Sequence, residues 1–214
     1  MTDNPTTHRI TVFGGSKPTP GEPAYEEALQ LGRLLGSAGC TVLTGGYIGT
    51  MEAVSRGVAE AGGHVIGVTC DEIEAWRPVS PNPWVQEEMR YPTLRQRLYA
   101  LIDNCDAALA LPGGIGTLAE IAIMWSHLQT GAAAPRPLIL IGAGWRATLE
   151  AFFDTLGEYT AEKHRHLLTL APNVETAFQI LQPLVQHPRD GIISNLQSLI
   201  SNLQFLCPPS NPPV

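Results

Sequence analysis

The sequence predicts an α/β protein, a doubly wound, Rossmann-like parallel sheet with helices on both faces. Two observations carry this. Short apolar runs alternate with longer stretches of helical period, and that alternation covers both faces of a parallel sheet with helices. Three glycine-rich turns, Gly14-Gly15-Ser16, Gly45-Gly46 and Pro112 to Thr117, follow three of the apolar runs. Ligand-binding loops stand at those strand ends in open α/β sheets. With 214 residues, 44% of them apolar, the chain suffices for one core, expected over residues 1–186.

The elements follow in order. His8–Phe13 reads as a buried strand ended by the first glycine turn, with a Pro/Gly-rich loop running to Pro23. Ala24–Ala38 is an amphipathic helix, with Ala28, Leu31, Leu34 and Leu35 at helical spacing and Gly39 as its stop. Thr41–Thr44 is a strand, Gly45-Gly46-Tyr47-Ile48-Gly49 a turn, and Thr50–Ala61 a helix stopped by Gly62-Gly63. His64–Thr69 is the third strand. Residues 70–91 show no periodicity and carry Pro78, Pro81, Pro83, Trp76 and Trp84. They read as a long loop forming a lid over the site. Pro92 suits the first turn of a helix running to Asn104, with Leu94, Leu98, Leu101 and Cys105 as its apolar stripe. Asp106–Leu111 is the fourth strand, followed by a helix over Ile115–Gln129, a strand over Pro137–Ile141 and a helix over Trp145–Leu156. Leu167–Leu170 reads as a short sixth strand and Val174–Val185 as the last core helix. In the tail, 187–214, Ile193-Ser-Asn-Leu-Gln-Ser-Leu199 recurs as Ile200-Ser-Asn-Leu-Gln-Phe-Leu206. That repeat suits a short amphipathic helix, with disorder beyond it.

The chemistry centres on Leu109-Ala-Leu-Pro-Gly-Gly-Ile-Gly-Thr-Leu-Ala-Glu120. A strand, a turn made by Gly113, Gly114, Ile115 and Gly116, and a helix N-terminus together present free N–H groups and a positive dipole end to one anion. Thr117 adds a hydroxyl at the rim. Glu120, one turn further in, leans back toward the same point. A phosphate site alone does not need that carboxylate. Gly114-x-Gly116-x-x-Ala119 also fits a dinucleotide fingerprint, but the acid required at the end of the next strand is missing from Leu138-Ile-Leu-Ile-Gly142. In doubly wound order the first and fourth strands are neighbours, so all three glycine turns converge on one crevice. The helix from Pro92 brings Arg95 and Arg97 near it. Spacing alone barely separates the two.

Composition excludes other classes. A net charge of −7 argues against nucleic-acid partners. No signal peptide or membrane-spanning run is seen. Cys40, Cys70, Cys105 and Cys207 show no CxxC spacing, which fits reduced thiols in a cytoplasmic protein. His8, His64, His127, His164, His166 and His187 form no metal-ligand set. Neither metal nor cofactor is expected.

Pro112-Gly-Gly-Ile-Gly-Thr-Leu-Ala-Glu120 resembles the PGGxGTxxE signature of the LOG family, the cytokinin riboside 5′-monophosphate phosphoribohydrolases and their bacterial relatives. Val12-Phe-Gly-Gly-Ser16, Gly45-Gly-Tyr-Ile-Gly-Thr-Met51 and Gly62-Gly-His-Val-Ile-Gly67 resemble its other landmarks in the same order, over about residues 9–185. The resemblance implies a homodimer that cleaves the N-glycosidic bond of a nucleoside 5′-monophosphate, releasing base and ribose 5-phosphate. It also implies a catalytic pair at Arg97 and Glu120. On that reading the phosphate sits on Gly113 to Thr117, Glu120 stabilises the cationic ribose or activates water, and Arg97 holds Glu120 ionised. This chain has Arg97-Leu98 where the family often has Arg-Lys, and Thr50-Met51-Glu52 where it usually has Leu-Met-Gly. These forms resemble a less characterised bacterial branch that also resembles molybdenum-cofactor carrier proteins. A nucleotide- or molybdenum-cofactor-binding carrier without turnover is therefore the alternative. A lysine-decarboxylase label carried by some relatives finds no support, since Lys17 and Lys163, the only lysines, lack a recognisable pyridoxal-phosphate context.

Overall fold

The computed structural model describes residues 7–187. Its elements are β1 (Arg9–Phe13), α1 (Pro23–Ser37), β2 (Thr41–Thr44), α2 (Thr50–Glu60), β3 (His64–Cys70), α3 (Asp71–Trp76), β4 (Glu87–Tyr91), α4 (Leu94–Asp103), β5 (Ala107–Ala110), α5 (Ile115–Thr130), β6 (Leu138–Ile141), α6 (Ala143–Leu156), α7 (Glu162–Arg165), β7 (Thr169–Ala171) and α8 (Val174–Val185). A short 3-10 turn over Gly157–Tyr159 joins α6 to α7. The strands form one seven-stranded sheet in the order β4-β3-β2-β1-β5-β6-β7, and every pairing is parallel. This is the doubly wound Rossmann-like architecture the alternation predicts.

Two apolar layers sandwich the sheet. On one face Leu31 and Leu35 of α1, Val54 and Val58 of α2, and Ala177 and Leu181 of α8 pack on Val12, Val42 and Leu109. On the other, Leu101 of α4, Ile121 and Met124 of α5, and Trp145 of α6 pack on Phe13, Leu43 and Ala108. Strands buried on both faces read as continuous apolar runs, which is why β5 and β6 are Ala-Ala-Leu-Ala and Leu-Ile-Leu-Ile. Among the described residues no helix is long and apolar enough to cross a membrane.

The structure corrects the expected long loop over 70–91. That segment contains α3 and a seventh strand, β4, paired in parallel from Ile66↔Glu87 to Cys70↔Tyr91. Its sequence, Glu-Glu-Met-Arg-Tyr, alternates half-buried with exposed residues at the sheet edge. Charged residues on an edge strand block further pairing, and they also hide the strand from an apolar-run search. The segment is anchored rather than free. Arg90 bonds Asp71 and Glu74 at 2.7 Å each, and Glu72 accepts the Leu94 N–H at 2.7 Å.

Smaller shifts have equally local causes. The helix expected from Pro92 starts at Leu94, because Thr93 is its N-cap and accepts the Gln96 N–H at 3.2 Å. Leu94 is 46% exposed, so it is not part of the buried stripe; Arg97, Ala100, Leu101 and Ile102 are. The last strand runs Thr169–Ala171 rather than Leu167–Leu170, in register with Ile139–Ile141. The heptad repeat over 193–206 and nearly all of the tail lie outside the described residues.

Candidate functional site

Pairing of β1 with β5, Phe13 opposite Ala110, brings the first and third glycine turns together at the carboxyl edge. A side-chain carbon on Gly15 would stand 3.3 Å from the Cα of Gly113. Gly14 and Gly15 are held by the start of α2, where the Thr50 N–H and hydroxyl donate to the Gly15 carbonyl at 2.9 and 3.0 Å. Gly49 has φ +79° and backs onto Ser16, where a side-chain carbon would come within 2.6 Å of the Ser16 backbone. The N-terminus of α2 is thus engaged with the first turn.

The N-terminus of α5 is open. Its first intrahelical bond runs from the Leu118 N–H to the Gly114 carbonyl at 3.0 Å, so the N–H groups of Ile115, Gly116 and Thr117 precede it. Gly114 and Gly116 have no heavy atom within 4 Å of where a side chain would begin. That space lets an anion approach the backbone. Thr117 is 3% exposed and its side chain packs against Gly113, holding the turn to the first turn of α5.

The two arginines of α4 separate completely. Arg97 is 6% exposed. Its Nε donates to the Val68 carbonyl at 2.7 Å and its Nη2 to the Gly45 carbonyl at 3.1 Å, and its guanidinium lies 5.8 Å from the centre of the Tyr47 ring. Arg95 lies outside, over the Tyr99 ring at 5.8 Å. The Nη1 of Arg97 is 3.8 Å from Oε1 of Glu120, an ion-pair distance too long for a hydrogen bond. Glu120 is buried at 8% exposure. Burial pushes its carboxyl up to about 7, while Arg97 pulls the other way and loses. Arg97 thus favours the ionised carboxylate, and desolvation outweighs it at this separation.

Sequence reasoning missed Asn82, Tyr47 and Arg77. Asn82 is buried, and its backbone N–H and Nδ2 donate to the Gly46 carbonyl at 2.8 and 3.0 Å. Nδ2 also reaches the Tyr47 carbonyl at 2.9 Å. This bracket fixes the second glycine turn, whose Gly45 carbonyl holds Arg97. Tyr47 lies beneath Arg97, its hydroxyl accepting the Cys70 N–H at 2.9 Å and donating to the Cys70 carbonyl or to Glu74, both at 3.2 Å. Burial raises its pKa. Arg77 reaches Ser16, its Nη1 donating to Oγ at 3.3 Å. Asn82 and Arg77 lie in the aperiodic segment, where the one available signal was a polar residue between Pro81 and Pro83.

A family model described as "Possible lysine decarboxylase" matches residues 51–181. The chain is also 31% identical over 189 residues to the probable cytokinin riboside 5′-monophosphate phosphoribohydrolase LOGL5 of Oryza sativa subsp. japonica, covering 86% of this chain and 75% of that protein. The chain belongs to the LOG family. Another relative of this LOG chain is the pyrimidine/purine nucleotide 5′-monophosphate nucleosidase of Escherichia coli (strain K12), 31% identical over 84% of this chain and 42% of the longer protein. Among solved structures, the molybdenum cofactor binding protein of Rippkaea orientalis superimposes with a TM-score of 0.66 at 23% identity, over 84% of this chain and 98% of that one. At that identity the likeness is one of fold.

Proposed function

We propose that this LOG-family chain hydrolyses the N-glycosidic bond of a nucleoside 5′-monophosphate to free base and ribose 5-phosphate. One observation carries the reading: a buried carboxylate, Glu120, stands one turn inside a helix N-terminus whose first N–H groups are open. A nucleotide carrier needs the N–H groups but not the acid. In the reaction the phosphate docks on the Ile115–Thr117 N–H groups and the base departs from C1′, leaving positive charge on the ribose ring. Ionised Glu120 stabilises that charge or relays the proton of the water that adds to C1′, and in either case the water's proton leaves with the base. A carboxyl near 7 is suited to such proton transfer at neutral pH. On this reading Gly14, Gly15, Ser16, Gly45 and Gly46, at the adjoining strand ends, and Arg97 complete the ligand site. Lys17 and Lys163 are both exposed, whereas a Schiff-base lysine needs a desolvated setting.

Chromatography after incubation with a panel of nucleoside monophosphates tests this, the expected products being free base and ribose 5-phosphate. In calorimetry AMP should bind far better than adenosine, because the turn supplies donors for an anion. Tight AMP binding with no base released from any monophosphate would replace the enzyme by a non-catalytic carrier.

The LOG resemblance also underlies a proposed two-fold homodimer. Leu94 of α4 and Ile115 and Leu118 of α5 are 46%, 83% and 41% exposed. They are exposed apolar side chains on two helices beside the site, the kind of residue a second copy would cover. Sedimentation of the wild type at micromolar concentration should show a dimer, and Leu118→Asp should shift it toward monomer. A wild-type monomer at that concentration would remove the dimer from the reading.

A further inference from the structure

The arginine at the end of α3 has a resting pose that leaves part of its chemistry unused. Arg77 Nη1 donates to Ser16 Oγ at 3.3 Å, and its guanidinium carbon lies 5.7 Å from the ring centre of Trp76, which is 79% exposed. Arg33, Arg56 and Arg90 each have a carboxylate oxygen at 2.7 Å, and Arg97 faces Glu120. No ion-pair partner of Arg77 is present among the described residues. Its Nε is also sealed from solvent without an acceptor. A buried donor with no acceptor costs free energy. Because Nη1 is engaged by Ser16, the unused edge is Nε–Nη2, whose two parallel donors an oxyanion could take once the side chain turns.

The location matters as much as the unused edge. Ser16 follows Gly15, and Gly15 abuts Gly113 in the α5 turn. A short path of contacts therefore leads from the guanidinium to the open N–H groups of Ile115–Thr117. Glu74 is held by Arg90 and Glu72 by the Leu94 N–H, which anchors α3 beside the first turn. On a chain of net charge −7, an anionic ligand depends on local cations of this kind.

We propose that Arg77 turns from Ser16 onto the phosphate of the bound ligand, closing the anion cradle from the α3 side and selecting phosphorylated over unphosphorylated ligands. The inference rests on reading the crevice as a monophosphate site. In the resting protein Ser16 parks the guanidinium; in the complex the phosphate oxygens take the Nε–Nη2 edge.

Calorimetry on the full chain, with AMP, adenosine and inorganic phosphate as probes, tests this in wild type, Arg77→Met and Arg77→Lys. Arg77→Met should weaken AMP by about 10–100-fold, the loss of a charge-assisted pair, and weaken phosphate in parallel, with adenosine unchanged. Arg77→Lys, which keeps the charge but loses the two-pronged edge, should fall between. In turnover, KM for AMP should rise more than kcat falls, as for a contact made before the transition state. The thermal midpoint of Arg77→Met should not drop. Unchanged AMP affinity in Arg77→Met overturns the proposal while leaving the monophosphate reading intact. So does an equal loss for AMP and adenosine with a lowered midpoint, which would make Arg77 a strut for the first turn. If the wild type itself fails to bind AMP, the monophosphate reading fails and this inference falls with it.

Discussion

Glu120→Gln is expected to lower kcat by about 10²–10³-fold with KM near the wild-type value, the size typical of one electrostatic group acting on developing charge. Gln keeps the size of the side chain and removes its charge, so the loss reads out what the carboxylate does as the ribose becomes cationic. The pH profile should carry the same signature. With the Glu120 carboxyl pushed up to about 7, the ionised form grows in as pH rises through neutrality, and activity should rise with it. The Gln variant should lack that limb. Stability should move the opposite way. A carboxyl raised in the folded state above its ordinary value of 4.5 favours folding fully below that value, and the contribution is lost as pH climbs through about 7. Glu120→Gln should therefore be more resistant to urea than the wild type at pH 8, by on the order of 3 kcal/mol, and nearly equal to it at pH 4.5. Wild-type turnover in the Gln variant would remove Glu120 from the chemistry.

Arg97→Ala is expected to damage binding, turnover and folding together. The substitution strips the donors from the Val68 and Gly45 carbonyls in a buried setting, which costs roughly 1–3 kcal/mol in unfolding measurements. It also removes a cation that lowers the Glu120 pKa, so the alkaline-going limb of the pH profile should shift further upward. Both effects reach the reacting centre, and kcat/KM should fall by about 10³-fold or more. Arg95→Ala is the internal control. Its guanidinium lies over the Tyr99 ring away from Glu120, and its loss should change stability by no more than about 0.5 kcal/mol. A strong Arg95 phenotype with a silent Arg97 would place the wrong residue in the site.

Much of this was legible in the chain because its signals are local. Phe13, Leu43 and Leu109 belong to apolar runs that end in glycine, so the strands, their ends and the crossover pattern could be read directly. Leu109 to Glu120 could be read for the same reason: strand end, turn, helix start and acid fall within twelve residues. Arg97 against Arg95 could not be settled by spacing. Helical position placed both beside the stripe, and only the packing of α4 on β3 buries one beneath the Gly45 carbonyl. β4 was invisible because an edge strand needs one neighbour and no apolar run.

What the sequence by itself determined is the architecture and the cradle: a doubly wound sheet with the α5 N-terminus at its reversal point and Glu120 one turn inside. These depend on periodicity, glycine positions and helix geometry, all properties of contiguous residues. Only the tertiary structure decided the burial of Glu120, which arginine of α4 lies beside it, and the contacts of Asn82, Tyr47 and Arg77. Each of these depends on distance and burial between segments far apart in the chain. Asn82 reaches the second turn across 36 residues and Arg77 reaches Ser16 across 61. The charge on Glu120 follows from how completely the surrounding elements exclude water, a balance between desolvation and a guanidinium 3.8 Å away that no run of residue types encodes.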